Sequence, residues 1–171
     1  MEAWKPDICV YHGGCDDGFG AAWAVWKRWP DVEFVPGNYG KPFHNRAAWA
    51  GKNVLFVDFS APKDVLLSFL AVAPTDLPPA SSIVVIDHHK TAQAGLDGLP
   101  LFDGSQIGLG NSLRMSAENN APAIAVWFDM AQSGATMAWQ FAHQTDRQIS
   151  PCPTLLTYIE DRDLWRFAFG D

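Results

Sequence analysis

Three short apolar runs, each closed by a carboxylate or an imidazole, constrain this chain more than any other feature. Ile83-Val84-Val85-Ile86 leads directly into Asp87-His88-His89-Lys90. Ile8-Cys9-Val10-Tyr11 leads into His12-Gly13-Gly14-Cys15-Asp16-Asp17-Gly18, and Val54-Leu55-Phe56-Val57 into Asp58-Phe59-Ser60. Four β-favouring residues in a row, without polar alternation, read as strands buried on both faces of a parallel sheet. Such sheets bind ligands in the crevice beyond the carboxyl ends of their strands. Three strands therefore deliver acidic and imidazole groups to one edge, where this class of fold does its chemistry.

Between the runs, helix signals alternate with strand signals. Gly18 to Trp29 carries Phe19, Ala22, Trp23 and Trp26 at helical spacing, and Pro30 ends the segment. So narrow and periodic a stripe predicts packing against the sheet rather than base stacking. Val32-Glu33-Phe34-Val35 predicts a second strand, followed by a polar loop through Gly40, and residues 53–58 a third. Ser60 is placed to cap a helix from Pro62 to about Val72, and Pro74 to Ser82 reads as a connector. Residues 95–122 hold five glycines and little periodicity, which predicts a long loop or insertion. A strand over 123–128 follows, then a helix from Ser133-Gly134-Ala135 to about Gln144, and a last helix from Pro153 to about Trp165. The alternation implies right-handed crossovers, hence an α/β fold with a doubly wound, mostly parallel sheet flanked by helices, as a single domain over 1–171.

Composition narrows the function. A chain of 171 residues with 48% apolar and 13% aromatic residues can bury a real core and is not disordered. No apolar run approaches the ~20 residues that span a bilayer. The opening Met1-Glu2-Ala3-Trp4-Lys5-Pro6-Asp7 lacks the basic and apolar regions of a secretory signal. Cys9, Cys15 and Cys152 have no paired spacing, so no disulfide framework is expected. These features point to a cytoplasmic chain without membrane association. A net charge of −7 argues against a duplex DNA groove, but bound divalent cations would reverse the local field and admit a small anionic substrate. Oxygen and imidazole donors with few thiolates suit Mn²⁺ or Mg²⁺ better than a structural zinc. The pattern reads as a metal-dependent hydrolytic site.

With these residues laid out, the chain resembles the DHH phosphoesterase superfamily, which includes single-strand exonucleases, oligonucleotide-degrading phosphatases, cyclic dinucleotide phosphodiesterases and manganese pyrophosphatases. His12 through Gly18 resembles the first motif of that family, Asp58 the second, Asp87-His88-His89 the third, and Asp161 in Ile159-Glu160-Asp161-Arg162-Asp163 the fourth. The motifs occur in the family's order across nearly the whole chain. The resemblance implies two Mn²⁺ ions, with Mg²⁺ as the substitute, bridged by Asp58. It places His12 on one ion and Asp17, His88 and Asp161 on the other. His89 would face the substrate phosphate, and Asp87 would orient the histidine pair from behind. Water activated by two ions would then attack the phosphoryl group.

The first motif departs from the family pattern, because Cys15 stands where an aspartate is usual. Either Cys15 or Asp16 can fill the vacant ligand place. Ser133 and Gly134 at a helix start, with Lys90 and Arg162, are the candidate phosphate contacts, although a plain N-cap is an equal reading for Ser133. Only one of Asp161 and Asp163 can face the metals, because residues two apart leave a helix on different sides. The motif match selects Asp161 and leaves Asp163 to Arg162, Arg166 or the backbone. His44, His143 and Cys152 receive no role. Many relatives carry a C-terminal domain that closes over the site. The resemblance therefore predicts that substrate contacts come from 95–122, from a second copy in a homodimer, or from a partner protein that supplies the lid. The expected substrate is a short single-stranded oligonucleotide, a cyclic dinucleotide or a related nucleotide. An inorganic pyrophosphatase and a degenerate, non-catalytic phospholigand-binding module are the alternatives.

Overall fold

The apolar runs pair side by side, all in parallel. In the computed structural model, which describes residues 3–41, 46–72, 76–145 and 148–170, β1 (Ile8–His12), β2 (Glu33–Gly37), β3 (Asn53–Val57), β4 (Ser82–Asp87) and β5 (Ile124–Phe128) form one sheet in the order β2-β1-β3-β4-β5. Their central side chains alternate between two apolar layers. Cys9, Leu55, Val57, Val84, Ile86, Ala125 and Trp127 face one side. They pack on α1 (Asp16–Arg28), α5 (Gln106–Glu118), α6 (Gly134–His143) and α7 (Thr154–Asp163). Ile8, Val10, Val54, Phe56, Ile83, Val85, Ile124 and Val126 face the other, against α2 (Arg46–Trp49), α3 (Lys63–Leu70) and Leu96 after α4 (Lys90–Gly95). The fold is α/β and doubly wound. A two-stranded hairpin, β6 (Gln144–Thr145) and β7 (Gln148–Ile149), separates α6 from α7. Among the described residues, no helix is long and apolar enough to cross a membrane.

Three sequence expectations fail, in whole or in part, for physical reasons. First, 95–122 is not a loop. Ser105 caps α5 by accepting from the Gly108 N–H at 2.9 Å, and Leu109, Ser112 and Ser116 turn inward. Second, α1 buries its small residues more deeply than its tryptophan stripe. Gly20, Ala21, Ala22, Ala24 and Val25 are buried; of the expected stripe Ala22 is buried and Trp23 packs on the core as predicted, whereas Phe19 and Trp26 are exposed. A Cβ on Gly20 would crowd Ala135 of α6 and Ile159 of α7, so only small side chains fit that contact. Trp23 extends the same α1–α6 contact, partly buried and stacked on Trp139 at 6.0 Å. Third, Ser60 does not cap α3, whose N-cap is Pro62; its hydroxyl instead donates to Asp87 Oδ2 at 2.5 Å. The Pro74–Ser82 connector lies partly outside the described residues, as does His44.

Candidate metal centre

The strand order decides where the polar groups gather. After β2 the chain reverses and sets β3 on the far side of β1, which opens a switch-point crevice at the carboxyl ends of β1 and β3. His12 ends β1, Asp58 follows β3, and Asp87 ends β4. Asp58 is held in the left-handed region (φ 54°), a conformation that a short polar side chain tolerates better than most. The start of α6 presses on it so closely that a Cβ at Gly134 would overlap the Asp58 side chain. Gly18 is needed in the same way, since its Cβ would strike the His12 carbonyl oxygen.

Asp87 is fully buried and saturated with donors. Its Oδ1 accepts from the His88 N–H (2.7 Å), the His89 N–H (3.1 Å) and His89 Nδ1 (2.7 Å), while Oδ2 accepts from Ser60. Burial alone would raise its carboxyl, but the His89 and Ser60 hydrogen bonds outweigh it and hold the group below the usual carboxylate range. Those bonds fix the backbone and ring of His89, which is pushed up by the Asp87 hydrogen bond against the effect of burial.

Asp58, equally hidden, is provided for differently. Its Oδ1 lies 3.1 Å from His88 Nε2, and its Oδ2 lies 3.6 Å from His12 Nδ1 and 3.8 Å from Cys15 Sγ. His88 Nε2 is also 3.5 Å from Asp17 Oδ2 and 3.6 Å from Asp163 Oδ2. Burial, with the Asp17 charge adding to it and His88 opposing, pushes the Asp58 carboxyl up to about 7. Burial would lower His88, but the Asp58 hydrogen bond and the charges of Asp58, Asp17 and Asp163 carry it up to about 9. Asp163 is raised by burial and by Asp17. Burial and the neighbouring His89 lower His12, and its Nδ1 is buried without a hydrogen-bond partner.

Crowded carboxylates, two of them raised by burial and by a neighbouring charge, beside an imidazole nitrogen without a hydrogen-bond partner, form an environment that a cation would relieve. The donors fall into three groups whose ligand atoms lie within 4.8 Å of one another: His12, Cys15 and Asp58; Asp58, His88 and His89; and Asp17, His88 and Asp163. Asp58 belongs to the first two, and His88 to the last two. Each group has the donor chemistry to hold a metal ion.

The structure brings together His12, Cys15, Asp17, Asp58, His88 and His89 as the sequence expects, and corrects other assignments. Asp161 is in none of the three groups; its Oδ1 accepts from the Ala168 N–H (2.9 Å) and its Oδ2 from the Phe169 N–H (3.2 Å). Asp163 stands in the place expected of it. Between Cys15 and Asp16, Cys15 joins the cluster, whereas Asp16 is exposed on the rim. The N–H groups at the start of α6 are not free for a phosphate. Gly134 donates to Asp17 Oδ2 (2.7 Å), Ala135 to Asp17 Oδ1 (2.9 Å) and Ser133 to Glu160 Oε2 (3.2 Å), so this helix end positions Asp17. Lys90 is exposed at the first position of α4. Arg162 does border the site, on a cleft of about 390 Å³ shared with Cys15, Asp16, Asp17, Tyr158, Ile159 and Asp163.

Asp163, Ser60 and Glu160 are the contributors that motif matching passes over. A signal for Asp163 existed in the helical register. Leu156, Ile159 and Asp163 fall at i, i+3 and i+7 on one face. Leu156 and Ile159 pack on Gly20 of α1, the helix that carries Asp17 in its first turn. For Ser60 and Glu160 no local pattern exists, since each acts on a residue distant in sequence.

No family model matches the chain, and no solved structure matches it. A curated relative, described as uncharacterized protein R106 of Acanthamoeba polyphaga mimivirus, is 27% identical over 177 aligned positions, covering 95% of this chain and 34% of its own length. The chain thus spans about a third of the relative it matches.

Proposed function

We propose that this chain is a divalent-cation-dependent phosphoesterase of the DHH type, acting in the cytoplasm on short oligonucleotides, cyclic dinucleotides or related nucleotides. The observation that carries the reading is Asp58, a buried carboxylate shared by two donor groups at the switch point of the sheet, one with His12 and Cys15 and one with His88 and His89. His12, Cys15 and Asp58 would hold one ion, and Asp17, His88 and Asp163 the other, with Asp58 Oδ1 reaching the second set at His88 Nε2, 3.1 Å away. Mn²⁺ suits the second set, which is made of carboxylates and an imidazole. Two such cations supply an activated water and neutralise charge on a phosphoryl group.

The chain's own residues do the positioning. Asp87 orients His89 through Nδ1, leaving the far edge of a half-exposed ring to face an anionic group beside the cations. The start of α6 fixes both oxygens of Asp17 in advance, so little reorganisation is needed on cation binding. Tyr158 and Ile159 give the cleft an apolar wall with Arg162 beside it, which favours an organic phosphoester over pyrophosphate.

The test is hydrolysis of a dinucleotide, a cyclic dinucleotide and pyrophosphate with Mn²⁺. Turnover of a phosphodiester that disappears in Asp58→Asn is expected. Turnover of pyrophosphate alone would move the substrate class, and no turnover of any of the three would overturn the reading.

A further inference from the structure

Cys15 opens α1 with its sulfur beside the carboxylate and imidazole cluster. It is the N-cap of α1, where Ser, Thr, Asp or Asn would accept a backbone N–H, yet its side chain makes no capping hydrogen bond. Nor is it a core residue, because it is only partly buried, whereas Cys9 is buried completely. Its sulfur turns toward the crevice instead, 3.8 Å from Asp58 Oδ2 and in one group with His12 Nδ1. That nitrogen is buried without a hydrogen-bond partner, 3.6 Å from Asp58 Oδ2. The other two donor groups, Asp58, His88 and His89 and Asp17, His88 and Asp163, hold no sulfur.

Resting on the two-cation reading above, we propose that the two sites are chemically unequal. The site of His12, Cys15 and Asp58 binds a thiolate-preferring cation of the Zn²⁺, Co²⁺ or Fe²⁺ class, and the site of Asp17, His88 and Asp163 binds Mn²⁺ or Mg²⁺. Soft thiolate ligands select zinc-like and iron-like ions, whereas carboxylates suit manganese and magnesium. The cation replaces the proton on the Cys15 sulfur, so one proton leaves to solvent as the S–metal bond forms. The working protein then carries a mixed pair of ions, and thiol-modifying reagents strip one of them first.

Cobalt titration of the full chain, read by absorbance and by bound-metal analysis, tests this without reference to activity. A near-ultraviolet sulfur-to-cobalt charge-transfer band is expected as the first equivalent binds. Cys15→Asp should lose the band, still take up two ions, and favour Mn²⁺ over Zn²⁺ at the first site by at least roughly tenfold relative to wild type. Asp17→Asn should keep the band while weakening the second ion. Cobalt bound without the band, or a band that survives Cys15→Asp, overturns the thiolate site and leaves the two-cation reading standing. Failure of the wild-type chain to bind cobalt, zinc or manganese overturns both.

Discussion

Asp87 and Asp58 stand at neighbouring strand ends, are buried to the same degree, and are wired in opposite ways. Asp87 receives four donors and is held below the usual carboxylate range. Asp58 receives one strong hydrogen bond, faces a second carboxylate, sits on a left-handed backbone and is pushed up to about 7. Burial is equal, so the donor inventory makes the difference. Asp87 is satisfied by the protein, whereas Asp58 is left short of donors, and the proposed ligand role uses that shortfall. The same contrast recurs two residues apart on α7, where Asp161 ties down the chain at 168–169 and Asp163 faces His88.

The sharpest way to break this comparison is to neutralise each member in turn. Asp58→Asn should abolish phosphoester hydrolysis by a factor of about 10³ or more, since it removes the carboxylate common to both ions. It should lower the melting temperature of the metal-free protein less than Asp87→Ala does, because it disturbs one hydrogen bond rather than four and the amide oxygen can still accept from His88. Asp87→Ala should behave in the reverse sense. Stranding the donors of Ser60, His88 and His89 costs about 3 kcal/mol, or roughly 6–12 °C in melting temperature. A metal-free Asp58→Asn that melts as low as Asp87→Ala would remove the distinction.

Smaller effects sharpen it. Asp163→Asn should weaken the second ion by roughly 10- to 100-fold at unchanged stability, whereas Asp161→Ala should cost about 1–2 kcal/mol and leave metal affinity intact. Metal titration and thermal melts on the two variants would separate them, and the opposite assignment would restore Asp161 as the ligand. The pH dependence follows from His88. Its folded value of about 9 exceeds the ordinary 6.5, so the folded chain holds a proton that the unfolded chain releases. That contribution is fully present below about pH 6.5 and is lost as pH rises to about 9. The raised Asp58 value has the same sign at lower pH. Melting temperature of the metal-free protein should therefore fall from pH 6.5 to 9, and saturating Mn²⁺ should reverse the slope because the cation takes the deprotonated His88. A flat profile in the metal-free protein would contradict the His88 environment.

How far the sequence could be read depended on the distance over which each signal acts. Buried parallel strands announce themselves as contiguous apolar runs, and Ile83 to Ile86 needed no tertiary context. The helix at 106–118 was hidden because two of its three buried residues are Ser112 and Ser116, which add nothing to a hydrophobic period, while Gly108 and Gly110 lower its propensity. At Phe19 and Trp26 the inward face of α1 was misjudged because close approach to α6 selects for small side chains, not large ones. At the site, the residues closing each strand were legible from position alone. Asp163 was not, because motif order chose Asp161 where the packing of Leu156 and Ile159 chooses the face. The occupied N–H groups at Ser133 and Gly134 depend on Glu160 and Asp17, which no local pattern connects to them.

The central claim is that Asp58 joins two cations. Electron paramagnetic resonance during Mn²⁺ titration, on wild type and on Asp58→Asn, tests it most directly. The account predicts two ions per chain at saturation with the exchange-coupled signal of a carboxylate-bridged pair, and loss of affinity at both sites in Asp58→Asn. Two magnetically isolated ions, or an Asp58→Asn protein that keeps one ion at wild-type affinity, would contradict it.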